Sequence, residues 1–271
     1  MRYFAELYQY RDLLFWLVIT EIRLRYKSPV LGLLWAIGVP LLTSLVLAVV
    51  FSRLIPVQVH GVPYFLFLIT GVLPWNCLQG TLITATTSIQ QNGPMVRRLN
   101  FPRQVIPCAV VGAHLINFAF ALLVVLALVW GGGAFTGRFL WVLPLAVLLQ
   151  MALSMGLALL VSAWQAQYRD IKYLVDVVLV LWFYVTPILY PAEVLMQVGE
   201  WTRPGVLLNP MAGIVSLYRV ALLGWDQAGV LPGIGPLELL GWTAAATCGW
   251  LWMGLRVFMR RAPTLADLVQ A

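Results

Sequence analysis

VIPCAVVGAHLINFAFALLVVLALVW, residues 105–130, runs without a single Asp, Glu, Lys or Arg. A helix needs about 20 consecutive apolar residues to cross the roughly 30 Å hydrocarbon core of a bilayer, so this stretch reads as a membrane span. Outward from it, runs of the same kind occupy 31–52, 64–85, 139–163, 174–190 and 237–258. The whole chain agrees with that reading. Of 271 residues 62% are hydrophobic and 10% charged, with twelve Trp, and the mean hydropathy is +0.90. An ordinary globular domain carries about 25% charged residues, so a water-soluble fold is excluded. The fold class is therefore all-α integral membrane, with six predicted spans.

Basic residues set the orientation. Arg2, Arg11, Arg23, Arg25 and Lys27 precede the first span; Arg97, Arg98 and Arg103 lie between the second and third, Arg169 and Lys172 between the fourth and fifth, and Arg256, Arg260 and Arg261 at the end of the chain, from the last turn of the sixth onward. Only Arg53, Arg138, Arg203 and Arg219 fall on the opposite side. Because Lys and Arg are retained on the cytoplasmic side, both termini are expected in the cytoplasm. The net charge of +7 is thus loop charge that sets topology, not a nucleic-acid footprint. Cys77, Cys108 and Cys248 are scattered, with no CxxC, which argues against disulfides and thiolate metal sites.

Two segments are not spans. In residues 1–30 the apolar run 13–19 is short, lacks a cleavage site and is followed by Glu21, Arg23 and Arg25, so it is not a secretion signal. Phe4, Leu7, Tyr8, Phe15, Val18, Ile22 and Tyr26 share one helical face opposite Glu6, Gln9, Asp12, Thr20 and Arg23. That pattern predicts a helix in the cytoplasmic interface, serving as a contact or as a simple topology anchor. Arg11 interrupts the apolar face and Leu13, Leu17 and Leu24 sit on the polar one, so protein is expected to cover part of it. The stretch from Pro191 to Pro236 has an apolar middle, 206–223, broken by Asn209 and Pro210 and carrying Arg219. Irregular backbone at membrane depth survives only inside protein or against water. This reads as an outer helical hairpin over a pathway, or as two interfacial helices without a gating role.

Several chemistries find no residues to carry them. The only lysines are Lys27 and Lys172, neither in a GxxxxGK context, so the chain lacks a phosphate loop and is not expected to hydrolyse ATP alone. His60 and His114 have no second ligand at metal spacing, and no metal site is expected. His114 and Asn117 mark either a polar face or a hydrogen-bonded packing site. The acidic residues lie near predicted span ends, unlike the midplane groups of a proton relay. What the spans offer is a polar and aromatic lining. Asn76, Gly80, Thr84 and Thr87 recur on one face of the second span beside Trp75 and Gln79, and the fifth ends in Trp182-Phe183-Tyr184 before Pro187. Rings and short amide or hydroxyl groups suit a sugar or isoprenoid surface, although an interfacial aromatic belt gives a similar composition. The small-residue pairs Gly32/Ala36 and Ala152/Gly156 permit close helix approach. On the inner side, 91–103 holds a basic, partly apolar centre bounded by Pro94 and Pro102, enough for one short helix, and Tyr168-Arg169-Asp170-Ile171-Lys172 forms a second basic loop.

At these residues the sequence resembles the ABC-2 type permeases that export polysaccharides: the O-antigen, capsule and teichoic acid exporters. The matching stretches, in order, are Arg23 to Trp35, Gly71-Val72-Leu73-Pro74-Trp75, Arg97 to Pro107, Tyr168 to Lys172, Thr186 to Tyr190 and Asn209-Pro210-Met211. The resemblance implies a homodimer joined to two copies of a separate ATPase, with a polysaccharide, lipid-linked in this reading, passing through a channel between the subunits. The location would be the bacterial cytoplasmic membrane, in contact with lipid and not with nucleic acid. ATP and Mg would sit on the ATPase, leaving this chain without a cofactor. By the same likeness Arg97, Arg98, Leu99, Phe101, Pro102 and Arg103 would form the coupling helix, assisted by Arg169 and Asp170. The hairpin with Asn209, Pro210 and Arg219 would be the outer gate. Trp35, Trp75, Asn76, Thr84, Trp182, Phe183 and Tyr184 are assigned to the path from chemistry and likeness together. The whole of 1–271 would then be one domain: interfacial helix 1–30, bundle 31–258 and cytoplasmic tail 259–271. The rival readings are an exporter of a small drug-like or lipid molecule in the same family, an integral-membrane sugar-transfer enzyme, and a structural membrane subunit.

Overall fold

The structure, a computed structural model, describes residues 8–25, 29–53, 59, 61–99, 101–199 and 201–262. They are helical, with no strand among them. In chain order the helices are α1 (Arg11–Arg25), α2 (Pro29–Arg53), α3 (Tyr64–Gln91), α4 (Gly93–Arg98), α5 (Val105–Gly131), α6 (Val142–Gln167), α7 (Ile171–Val185), α8 (Glu193–Val198), α9 (Thr202–Leu208), α10 (Pro210–Leu223) and α11 (Pro236–Arg261). Residues 1–7 and 26–28 of the expected interfacial helix, and 263–271 of the tail, lie outside the described residues.

By length and apolarity α3, α5 and α6 are each sufficient to cross a membrane, and a fourth crossing exists if α9 and α10, bent by 79° at Asn209, count as one broken element. The expected fifth span differs from 174–190. Its helix, α7, has 15 residues and, at 1.5 Å per residue, is roughly 22 Å long, short of the hydrocarbon thickness. It stops because the ring of Pro187 disfavours helical backbone at Thr186, whose conformation is extended.

α3 and α10 form the heart of the bundle. All fourteen residues of α10 are buried, and α3 buries an unbroken run from Leu66 to Trp75. α10 is apolar on nearly every side, with Arg219 as its one charged residue, and a helix of that kind belongs in the interior. α10 ends at Gly224, whose φ of 97° is open to glycine at little cost. Around α10 pack α3, α6 and α11.

The closest backbone approach joins α6 to α11. A Cβ on Gly156 would stand 2.6 Å from the Leu251 Cα, and one on Gly254 would fall onto the Gly156 carbonyl. The small residue expected to admit a neighbour at 156 thus meets a second glycine, 98 residues further along, that sequence spacing does not pair with it. α1 lies across α5 with Leu17 and Val18 buried and Leu13, Leu14 and Ile22 partly so, against Val105, Ile106, Ala109 and Ala113. Protein therefore covers Leu13 and Leu17, while Phe15, expected on the apolar face with Val18, is exposed together with Trp16.

Replacing Gly254 with Val is expected to destabilise the bundle by about 2–3 kcal/mol through overpacking at the α6–α11 crossing. Thermal unfolding in detergent, read as loss of monodisperse protein, measures it; Gly249→Val on the same helix, where a Cβ meets nothing within 4 Å, should be nearly silent.

Candidate functional site

The helices place three groups of functional side chains at three levels of the bundle. The first is a cleft of about 480 Å³ between α2, α3 and α5, lined by Trp35, Asn76, Gln79, Gly80, His114 and Asn117 among apolar neighbours. Asn76 and Gly80 share one face of α3 because they are four residues apart. Gly80 has a second purpose: a Cβ there would stand 2.7 Å from the His114 Cε1, so glycine admits the imidazole against the α3 backbone. The His114 Nε2 lies 3.2 Å from the Thr84 Oγ1 one turn further along. Both sequence readings of His114 hold at once, since it packs by hydrogen bonding and also lines the cleft.

The residues assigned to a path do not share one cavity. Trp35 and Asn76 face the cleft, and Thr84 reaches it through His114. Trp75 is buried instead, edge-on to Trp182 with centroids 5.8 Å apart and 5.5 Å from Phe183. Edge-to-face rings attract through their quadrupoles, so this cluster joins α3 to α7. Tyr184 packs on Phe183 but is itself exposed.

The second group is a lock between the end of α7 and the start of α10. Asn209 caps α10, its Oδ1 accepting from the backbone N–H groups of Met211 and Ala212 at 3.1 and 3.3 Å. The same oxygen accepts from the Trp182 indole at 2.9 Å, and its Nδ2 donates to the Thr186 Oγ1 at 3.0 Å. One buried amide thus satisfies the start of α10 and the end of α7 together. Arg219, 1% exposed, donates Nη1 to the Pro187 carbonyl at 2.8 Å and Nη2 to the Ile188 carbonyl at 2.6 Å. Its guanidinium carbon lies 3.6 Å over the Phe67 ring. A Cβ on Gly71 would come within 2.8 Å of Nη2, which explains a glycine there. The Tyr64 hydroxyl donates to the Leu189 carbonyl, so three successive carbonyls of the segment after α7 are held by side chains.

The third group is at the opposite end. α4 is the short helix expected within 91–103, with Pro94 in its first turn. Arg98 and Leu99 are exposed, and the Arg97 side chain lies outside the described residues. Phe101, expected at a docking surface, turns inward; it is 9% exposed and packs with Leu17, Val96 and Val105. Pro102 is half-buried, and Arg103 donates to the Ala262 carbonyl beyond α11. Arg169 and Asp170 are exposed in the α6–α7 turn. Gln165, 2% exposed, joins this turn to the end of α3: Gln90 Nε2 donates to its carbonyl at 3.1 Å, its own Nε2 donates to the Arg169 carbonyl at 3.0 Å, and its Oε1 accepts from the Lys172 N–H at 2.7 Å. Neither glutamine stands out in the sequence; a polar residue at the end of an apolar run is the only signal there.

A helical membrane protein emerges, with a polar and aromatic cleft, a clamped break at one end of the bundle and a basic face at the other. The ABC-2 type transporter family matches residues 12–223, and the chain belongs to that family. It is 31% identical over 270 residues to the O-antigen export system permease protein RfbA of Myxococcus xanthus, covering 99% of this chain and 100% of that one. It is 30% identical over 209 residues to an O-antigen export system permease protein RfbA of Klebsiella pneumoniae, covering 77% and 79%. To the polysialic acid transport protein KpsM of Escherichia coli it is 25% identical over 249 residues, covering 90% and 92%.

Arg219→Met removes two charge-assisted bonds and strands two buried carbonyls, so a loss of about 3 kcal/mol or more is expected. Gly71→Ala should reproduce part of that loss by displacing the guanidinium. Thermal unfolding of each variant in the same detergent checks both.

Proposed function

We propose that this chain is the permease subunit of an ATP-driven exporter that moves a polysaccharide, lipid-linked when it enters, across a bacterial cytoplasmic membrane. The full-length likeness to a permease named for O-antigen export carries the reading. Two copies of this chain form the channel between them, and two copies of a separate ATPase supply the work. In this reading six spans put both termini in the cytoplasm: α2 and α11 join α3, α5 and α6, and α7, too short by itself, is completed by the segment 186–190 that follows it, in agreement with the basic-residue distribution.

Trp35, Asn76, Gln79, His114 and Asn117 serve as one wall of the path. Amide, imidazole and indole groups offer exchangeable hydrogen bonds and flat faces to a hydroxyl-rich polymer, each weak enough for the polymer to move on. α4 with Arg98 and Leu99, and the α6–α7 turn with Arg169 and Asp170, form the coupling surface. Gln165 links the turn to the end of α3, next to α4: its amide bonds to the turn and its backbone carbonyl accepts from Gln90. Phe101 supports this surface from beneath by holding α1 and α5 together. The outer hairpin with Asn209, Pro210 and Arg219 gates the far side, and its state alternates with that of the dimer interface.

Affinity purification from the native membrane in mild detergent tests the assignment: a stoichiometric ATPase should accompany the chain, and its repeated absence would overturn the exporter reading. Leu99→Asp should leave thermal stability unchanged and abolish ATPase recovery and export. Phe101→Ala should instead cost about 3 kcal/mol of stability, the range for emptying a buried phenyl site. An unaffected export rate in Leu99→Asp would refute the coupling surface.

A further inference from the structure

A second cavity, separate from the cleft, lies between α3, α6, α7 and α11. It holds about 320 Å³ and is walled by hydrocarbon and ring carbon, with Trp164, Ile171, Val178, Trp182 and Trp250 around it. Hydrocarbon walls leave water without hydrogen-bond partners, and an unfilled void forfeits the dispersion contacts of its lining. Along α7 the lining runs from Ile171 to Trp182, which at 1.5 Å per residue is about 16 Å, close to half of a roughly 30 Å hydrocarbon core. The groove therefore has the length of one leaflet. It opens toward the outside through Leu174 and Val178, which are 55% and 45% exposed. At the end formed by Trp164 and Ile171 stand Arg169 and Lys172, both exposed, with Asp170 between them, leaving that rim net positive. Asp176 lies farther round α7 from the lining stripe than Lys172 does. The Lys172 ammonium sits 4.6 Å over the Tyr173 ring, which keeps it on α7 and near the rim.

We infer that this groove binds one acyl chain of an anionic phospholipid from the leaflet that the α6–α7 turn faces, with its phosphate at Arg169 and Lys172. A basic pocket between membrane helices is the chemistry that selects anionic headgroups. α7 buries only Val175 and Leu179 of its own residues, so the chain would supply packing that the protein leaves out there. The inference does not depend on the cargo.

Native mass spectrometry of the full-length protein, equilibrated with phosphatidylglycerol or phosphatidylcholine of identical chains, tests it. The wild type should retain phosphatidylglycerol preferentially. Val178→Trp fills the groove and should reduce retention roughly tenfold, the change for about two methylenes denied an apolar site. Leu174→Trp gives a second filled variant should the first unfold early. Arg169→Gln with Lys172→Gln should equalise the two lipids without abolishing binding. Undiminished phosphatidylglycerol on both filled variants would overturn the site. So would a photocrosslinker at Val178 that captures a second copy of the chain in place of a lipid.

Discussion

Backbone that is not helical at membrane depth must find its hydrogen bonds within the protein, and that requirement organises this fold. Two breaks, after α7 and before α10, lie against each other, and each supplies what the other lacks. Asn209 caps α10 and holds Trp182 and Thr186, while Arg219 and Tyr64 take the carbonyls of Pro187, Ile188 and Leu189. α10 is wholly buried because its contacts run inward on every side. Among the described residues the guanidinium of Arg219 has no carboxylate beside it; its charge is met by carbonyl dipoles and the Phe67 face.

The lock and the basic end of the bundle are joined by rigid elements. α3 starts beside the lock at Tyr64 and Phe67, passes the cleft at Asn76 and Gly80, and ends where Gln90 meets Gln165. α7 starts at the Gln165 contact and ends at the Asn209 contact. Two helices thus connect the same two ends, stapled near the lock by Trp75 against Trp182 and Phe183. Packed helices shift as bodies and do not deform continuously, so the two ends of this pair are mechanically linked.

Much of this was legible in the sequence because apolar length and basic-residue placement are local quantities. The all-helical class, the order of the long helices, a short helix behind Pro94 and a break at Asn209-Pro210 all follow from composition and from what proline forbids. The aromatic and polar stripe on α3 was legible too, since residues four apart share a face. Its division was not. Trp75 and Asn76 are neighbours in sequence, yet one is buried against α7 and the other faces the cleft, because adjacent residues on a helix point about 100° apart and the surrounding helices decide which side is interior.

The amino-acid sequence by itself determined that the chain belongs in a membrane, that it is helical with a break at Asn209-Pro210, and where the positive charge is concentrated. Only the tertiary structure decided that Phe101 packs against α1, that Gly156 meets Gly254, that Gly80 makes room for His114 and Gly71 for Arg219, and that Gln165 ties the end of α3 to the α6–α7 turn. The physical reason is the range of the interactions. Hydropathy and helix breaking act over a few residues of chain, whereas a close backbone approach or a shared hydrogen bond joins positions tens of residues apart and is set by how the helices pack.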